Sequence, residues 1–311
     1  RQLVAPNHTC THVLNLGLWK VLGDHIDQKG SMVQAERLRF DFSHGKPVSV
    51  DELRKIENIV KEQIASSMPI YSQEAPLEDA KKICSLRAVF GEVYPDPVRV
   101  VSVGQPVDAL LAQPDNAEWR EISVEFCGGT HLENTSEAEE FALVQEEGIA
   151  KGVRRIIALT KGAAKEAIQL ADEIGTKIEK AGTLPMAEQE KELSALKNAL
   201  DTQVIPYVRK AELNDRIGVL KKALLDAQKK AAKANLEAAK AKALEAASAA
   251  AGEGKTRLVM QLPDGMDPNA LREAATSAVK SANISIMLVS PDPVKARVMG
   301  FAAVPSDGTP D

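Results

Sequence analysis

The stretch NHTCTHVLNLGLWKVLG, Asn7 to Gly23, reads as a helix with chemistry at its start. Asn7 is placed as an N-cap, and Val13, Leu16 and Leu18 to Val21 supply an apolar stripe. Gly23 then stops the helix. Residues four apart share a helix face, so His8 and His12 can both point at one atom. Far along the chain CGGTH, Cys127 to His131, repeats that spacing with a cysteine. Cys127 ends a strand, ISVEFC, and Gly128-Gly129 is read as a tight turn that other residues would resist, bringing His131 back beside the sulfur. Imidazoles and a thiolate are the donors zinc favours, at roughly 2.0–2.3 Å in a tetrahedron. Three of the chain's 5 histidines sit in these two motifs. Four donors close the tetrahedron around a structural ion; with one held off, water can take its place. Both arrangements are open to this sequence.

Composition narrows the rest. A chain of 311 residues holds about two or three domains. Aromatics make up 4%, so Val, Ile, Leu and Ala must build the core. No apolar run approaches the roughly 20 residues of a membrane span, and no signal-peptide pattern is present. Three scattered cysteines make no disulfide framework and suit a reducing compartment. A net charge of −5 excludes a uniformly basic nucleic-acid binder and leaves phosphate contacts to local clusters. The chain begins with Arg1 rather than Met and ends in a turn-rich SDGTPD, and it reads as a piece of something larger.

Character changes twice along the chain. From Pro6 to about Leu159 short helices and strands mix, an α+β pattern. RLRFDF alternates, with Leu38, Phe40 and Phe42 on one face. SVDELRKIENIVKEQIASS is an amphipathic helix capped by Ser49 or Asp51. VRVVSVG, ISVEFC, FALVQEEG and RRIIALT are further strands, the first and last continuous enough to be central. The following segment is helical in composition and punctuated by Pro185 and Pro206. Its apolar seam runs Leu213, Ile217, Leu220, Leu224 and then Ala227, Ala231, Ala234, Ala238 and Ala241. The lysine-rich part reads as a solvated linker helix or as a rod lying along RNA. After AAAGEGK, a flexible break, TRLVMQL, a helix capped by Asp267 and NISIMLVS form a βαβ seed, with VMGFAAV as a third strand.

NHTCTHVLN, QKGSMV followed by RLRFDF, SVEFCGGTHL and IAKGVRRIIALT, in that order, resemble the editing domain of the alanyl-tRNA synthetase family, most nearly its eukaryotic cytoplasmic type. The resemblance is strong to about Thr160 and looser through the helical and terminal segments, which resemble that family's C-terminal module. It implies three domains: a zinc-dependent editing domain at 1–160, a helical, coiled-coil-like arm at 161–251, and a small α/β domain at 252–311, cut short. In that family the editing domain hydrolyses the ester joining serine or glycine to tRNA(Ala). One zinc per chain would be held by His8, His12, Cys127 and His131. Thr9 becomes the candidate reader of the serine hydroxyl, and Gln28 resembles a glutamine of the family's pocket. Zinc, with Cys127 among its ligands, would activate water, and backbone N–H groups of Gly128 and Gly129 would meet the oxyanion. Lys151, Arg154 and Arg155 are the candidate phosphate contacts.

The partners implied are tRNA(Ala) mischarged with Ser or Gly and a second copy through the arm and terminal domain, with no membrane. A cytoplasmic place is expected, with an organellar copy also open. The family's ATP-using aminoacylation domain, its β-barrel and a glycine-rich terminal segment have no counterpart here, so this stretch is not expected to charge tRNA. Two other readings share the pattern: a non-catalytic, zinc-stabilised fragment for tRNA binding and oligomerisation, and a threonyl-type editing domain.

Overall fold

The computed structural model describes residues 3–89, 91–292 and 296–306; the last part of the turn-rich terminus lies outside them. The fold is mixed α+β, with 8 helices and three sheets among the described residues. In chain order the first elements are α1 (Val4–Leu22), β1 (Gln28–Val33), β2 (Leu38–Ser43), α2 (Val50–Ala65) and β3 (Ile70–Ala75). Then come α3 (Leu77–Ala80), β4 (Leu86–Arg87), β5 (Val98–Val103), α4 (Val107–Ala112) and β6 (Val124–Phe126). The strands β7 (Phe141–Ala150) and β8 (Val153–Thr160) lead into α5 (Lys161–Ala181), α6 (Met186–Thr202) and α7 (Tyr207–Gly252). The chain finishes with β9 (Arg257–Gln261), α8 (Pro268–Ala282), β10 (Ser285–Asp292) and β11 (Arg297–Ala303).

Two compact units divide between Val219 and Leu220, inside α7. The expected boundaries were 160/161 and 251/252, which would have left the helical segment as a body of its own. Instead α5 buries Ala164 and Ala167 against Ala142 and Leu159 of β7 and β8, because small residues let a helix lie close on a sheet. Within the first unit α7 is tied to α5 by Arg209–Asp172 at 3.1 Å and Arg216–Glu179 at 2.6 Å. Leu213 reaches to 3.4 Å of where a Cβ on Gly175 would stand.

The first unit holds two four-stranded sheets, ordered β1-β2-β8-β7 and β3-β5-β6-β4. RRIIALT and VRVVSVG are interior strands, as their unbroken apolar runs require. On the first sheet, Phe40, Phe42, Phe141 and Ile156 pack with Leu14 and Leu18 of α1 and Leu53 and Ile56 of α2. The helix α2 starts as expected on Ser49, whose side chain and Glu52 form a reciprocal capping box. Helix α1 starts earlier than expected. Its N-cap is Leu3, and Asn7 is a buried residue inside it, donating to the Gln34 carbonyl and accepting from Thr160 Oγ1. Pro6 falls in the first turn of the helix, where its missing N–H would bond nothing.

The second unit has the expected βαβ seed: β9 and β10 are parallel, α8 is capped by Asp267, and β11 adds antiparallel to β10. Of the leucine seam of α7, Leu213, Ile217 and Leu224 are buried and Leu220 is half-buried. The alanine seam is mostly exposed. Ala227, Ala234, Ala238 and Ala241 are exposed, whereas Ala239, Ala243, Ala247 and Ala250 pack against Leu271, Ala274 and Ala278 of α8. With alanine at so many positions, periodicity alone leaves the phase undetermined, and α8 selects the row it can approach.

Candidate metal centre

Two elements carry the donors. His8 and His12 lie one turn apart on α1; Cys127 and His131 follow β6. Their ligand atoms all fall within 4.8 Å of one another. Cys127 Sγ lies 3.4 Å from His8 Nε2 and 3.3 Å from His131 Nε2. Donors around a tetrahedral zinc with arms of 2.0–2.3 Å are roughly 3.3–3.7 Å apart, so these separations fit the ion. The far side of two of the rings, those of His8 and His131, is also held, as is common for ligating histidines. His8 Nδ1 sits 3.1 Å from the Thr130 carbonyl, and His131 Nδ1 sits 3.3 Å from Thr9 Oγ1. Among the described residues His12 Nδ1 is buried without a hydrogen-bond partner, while Glu125 Oε2 stands 3.6 Å from Nε2.

Electrostatics keep the imidazoles neutral, the form that binds a metal. Burial, with the neighbouring His8 and Arg99 adding repulsion, holds His131 down to about 3. Burial and the surrounding positive groups push His12 well below its ordinary value, and burial lowers His8 as well. Burial raises the Cys127 thiol, opposed by the Gly129 N–H that donates to its sulfur at 3.4 Å. A metal would have to displace that thiol proton.

The CGG turn is shaped differently from the reading of its glycines. Neither Gly128 nor Gly129 has a positive φ, so no left-handed turn demands them. Gly129 is required for space: a Cβ there would lie 2.0 Å from His8 Cε1. Gly128 has open space around its Cβ position. What bends the loop is Arg99 on β5, which donates to the carbonyls of Cys127 at 2.8 Å and Gly129 at 2.7 Å.

Beside the donors opens a cavity of about 260 Å³. His8, His12 and Cys127 line it together with Thr11, Asn15, Asp27, Gln28, Ser31, Arg87 and Glu125. Gln28 therefore stands where a pocket residue should, at the start of β1, with its Nε2 donating to Ser31 Oγ at 3.1 Å. Thr9 is not among the lining residues. It is 1% exposed, and its hydroxyl is taken by the Leu132 N–H and the His131 ring, so it braces the His131 side chain. It follows His8 on the helix and so turns away from the cavity face.

The basic cluster is also rearranged. Arg155 makes a double contact with Asp41 at 2.8 and 2.9 Å, and Arg154 pairs with Glu146 at 2.5 Å. Neighbouring strands supplied carboxylates that a one-dimensional reading could not pair with them. Lys151 is exposed in the turn between β7 and β8.

Sequence reasoning passed over Thr11, Asn15, Arg87 and Glu125. Asn15 Nδ2 donates to Glu125 Oε1 at 2.9 Å, and Arg87 Nε lies 3.6 Å from the same oxygen. Burial raises Glu125 to about 7, against the pull of Arg87. The available signal was a carboxylate inside the apolar run SVEF, where a charge is costly unless something pairs with it.

Residues 98–157, which include Cys127 and His131, match the family described as the threonyl and alanyl tRNA synthetase second additional domain. That match marks this part of the chain as an aminoacyl-tRNA synthetase domain of that type. Residues 164–227 match the alanine–tRNA ligase domain family. The cytoplasmic alanine–tRNA ligase of Dictyostelium discoideum is 41% identical over 309 residues, covering 99% of this chain and 33% of that protein. That of Drosophila melanogaster is 38% identical over 318 residues, covering 98% and 32%. The mitochondrial enzyme of Saccharomyces cerevisiae is 48% identical over 222 residues, covering 71% and 23%. The chain belongs to the alanine–tRNA ligase family and spans 23 to 33% of the length of these relatives. No helix among the described residues is long and apolar enough to cross a membrane.

Proposed function

We propose that this site is an aminoacyl-tRNA deacylase, hydrolysing the ester that joins a wrongly attached serine or glycine to tRNA(Ala). The observation that carries the reading is the juxtaposition of His8, His12, Cys127 and His131 with a polar cavity. Those four side chains would hold zinc, which when bound supplies Lewis acidity and lowers the pKa of a coordinated water. The chain's own groups do the rest. Gln28, Ser31 and Thr11 offer the cavity hydrogen-bonding atoms for a serine hydroxyl. An alanyl ester would leave such a group unpaired, which is how a hydrogen-bonding site rejects the smaller analogue. Because the Gly129 N–H is turned to the sulfur, the Gly128 N–H is our candidate for the developing oxyanion.

Mischarged tRNA(Ala) is accordingly the proposed partner, with Lys151 at the edge of its path; Arg154 and Arg155 serve the sheet. We place the protein in the cytoplasm, as two of its relatives are named, and propose self-association through α7 and the small domain. The alanine–tRNA ligase match over 164–227 favours the alanyl over the threonyl type. The test is the rate of Ser-tRNA(Ala) deacylation, with and without a chelator, beside Cys127→Ala. Chelator-sensitive turnover that spares Ala-tRNA(Ala) is expected. Zinc bound with no turnover would leave a metal-stabilised tRNA-binding module.

A further inference from the structure

The lining of the cavity beside the metal donors has more acids than strong bases. Among the described residues it includes three acids, Asp24, Asp27 and Glu125, and one guanidinium, Arg87. Arg87 and Glu125 face each other at 3.6 Å with side chains only 10% and 8% exposed, so they are engaged with one another. The other two acids of the lining are the aspartates. Asp24 is exposed in the turn after α1. Asp27 is fixed: its N–H donates to Ser43 Oγ at 2.8 Å, and its carbonyl accepts from the Ser43 N–H at 2.9 Å. It directly precedes Gln28, which shares the cavity. Lys29 stands 3.5 Å from the Asp27 carboxylate, but with side chains 39% and 51% exposed this is a solvent-screened pair.

Resting on the deacylase reading, we propose that Asp27 is a specificity-determining residue that receives the α-ammonium of the aminoacyl ester. Every ester of a free amino acid carries that group, and N-acylated esters lack it. A carboxylate carried on a backbone held at both its N–H and its carbonyl can receive the ammonium and so orient the ester carbonyl toward the donor set. Gln28 and its neighbours then read the side chain. The site would select esters with a free amine as well as a hydroxyl-bearing side chain.

The experiment compares Ser-tRNA(Ala) with N-acetyl-Ser-tRNA(Ala) as substrates of the zinc-loaded chain and its Asp27→Asn variant. Both Ser43 contacts use the Asp27 backbone, so the variant keeps its fold, checked by zinc content and circular dichroism. The parent should prefer the free amine by about 10- to 100-fold in kcat/KM, the range of a hydrogen bond to a charged group. Asp27→Asn should lose at least about tenfold on Ser-tRNA(Ala), mostly in KM, and change the acetylated substrate by less than about twofold. Equal losses on both substrates, or none on either, would overturn the assignment. A parent that turns over neither substrate refutes the deacylase reading itself, and this one with it.

Discussion

Replacing Gly129 by alanine should abolish zinc binding at the proposed site while leaving most of the fold in place. A Cβ at Gly129 would stand 2.0 Å from His8 Cε1, 2.7 Å from Nδ1 and 3.2 Å from Nε2. Ordinary contact begins near 3.4 Å, so the ring must retreat by about 1.4 Å. Metal–ligand distances tolerate about 0.2 Å, so a shift of that size removes His8 from the donor set. The ring cannot slide freely: Thr130 holds its Nδ1 and Cys127 Sγ sits 3.4 Å from its Nε2. The loop has little freedom either, because Arg99 grips its carbonyls on both sides of Gly128. Loss of an outer-shell partner alone weakens metal binding about 10- to 100-fold, so loss of a ligand should exceed about 100-fold. Overpacking adds about 1–3 kcal/mol of destabilisation. The assay is zinc competition against a chromogenic chelator, with thermal melts of the zinc-free protein. Gly128→Ala is the control, since nothing lies within 4 Å of that Cβ position and its φ is not positive. Zinc affinity of Gly129→Ala equal to that of Gly128→Ala would refute the close-approach argument.

Three further outcomes follow from the packing and the charges. Ala243→Leu should destabilise the second unit by about 1–3 kcal/mol in thermal unfolding, because Ala243 is 0% exposed beneath α8, whereas Ala234→Leu should be silent. Arg154→Met should cost about 1–3 kcal/mol in urea unfolding by stranding the Glu146 carboxylate, 3% exposed, and should leave tRNA affinity unchanged. Burial raises the Glu57 carboxyl above its ordinary value, against Lys61 and the Leu143 N–H. The folded chain therefore binds that proton more tightly than the unfolded one, and stability falls as pH rises from the ordinary value through the raised one. Glu57→Gln removes this loss, so its stability relative to the parent should be greater at pH 7 than at pH 4; an identical difference at both would contradict the burial argument.

What could be read from the chain in advance depended on range. Alternation in RLRFDF placed Leu38, Phe40 and Phe42 on the core face, and all three are fully buried. Ser49 and the apolar spacing behind it gave α2, and Asp267 with Pro268 gave α8. The glycines were noticed for the wrong property: the sequence suggested backbone freedom, and the need is room for an imidazole from another element. Thr9 had the right neighbourhood and the wrong side of the helix. The alanine row failed because a repeat of identical small residues carries no phase.

Sequence by itself picked out the four candidate donors, in two pairs each four residues apart, on a helix and after a strand. Such facts are local, set by helix pitch and strand alternation within a few residues. Tertiary structure alone decided what each charged group is for. Arg99 bends the CGG loop, Arg154 and Arg155 are satisfied by Glu146 and Asp41, and Arg87 with Asn15 keeps Glu125 beside His12. A charge takes its role from whatever folding brings within a few ångströms of it, and those partners lie as far as 114 residues away in the chain.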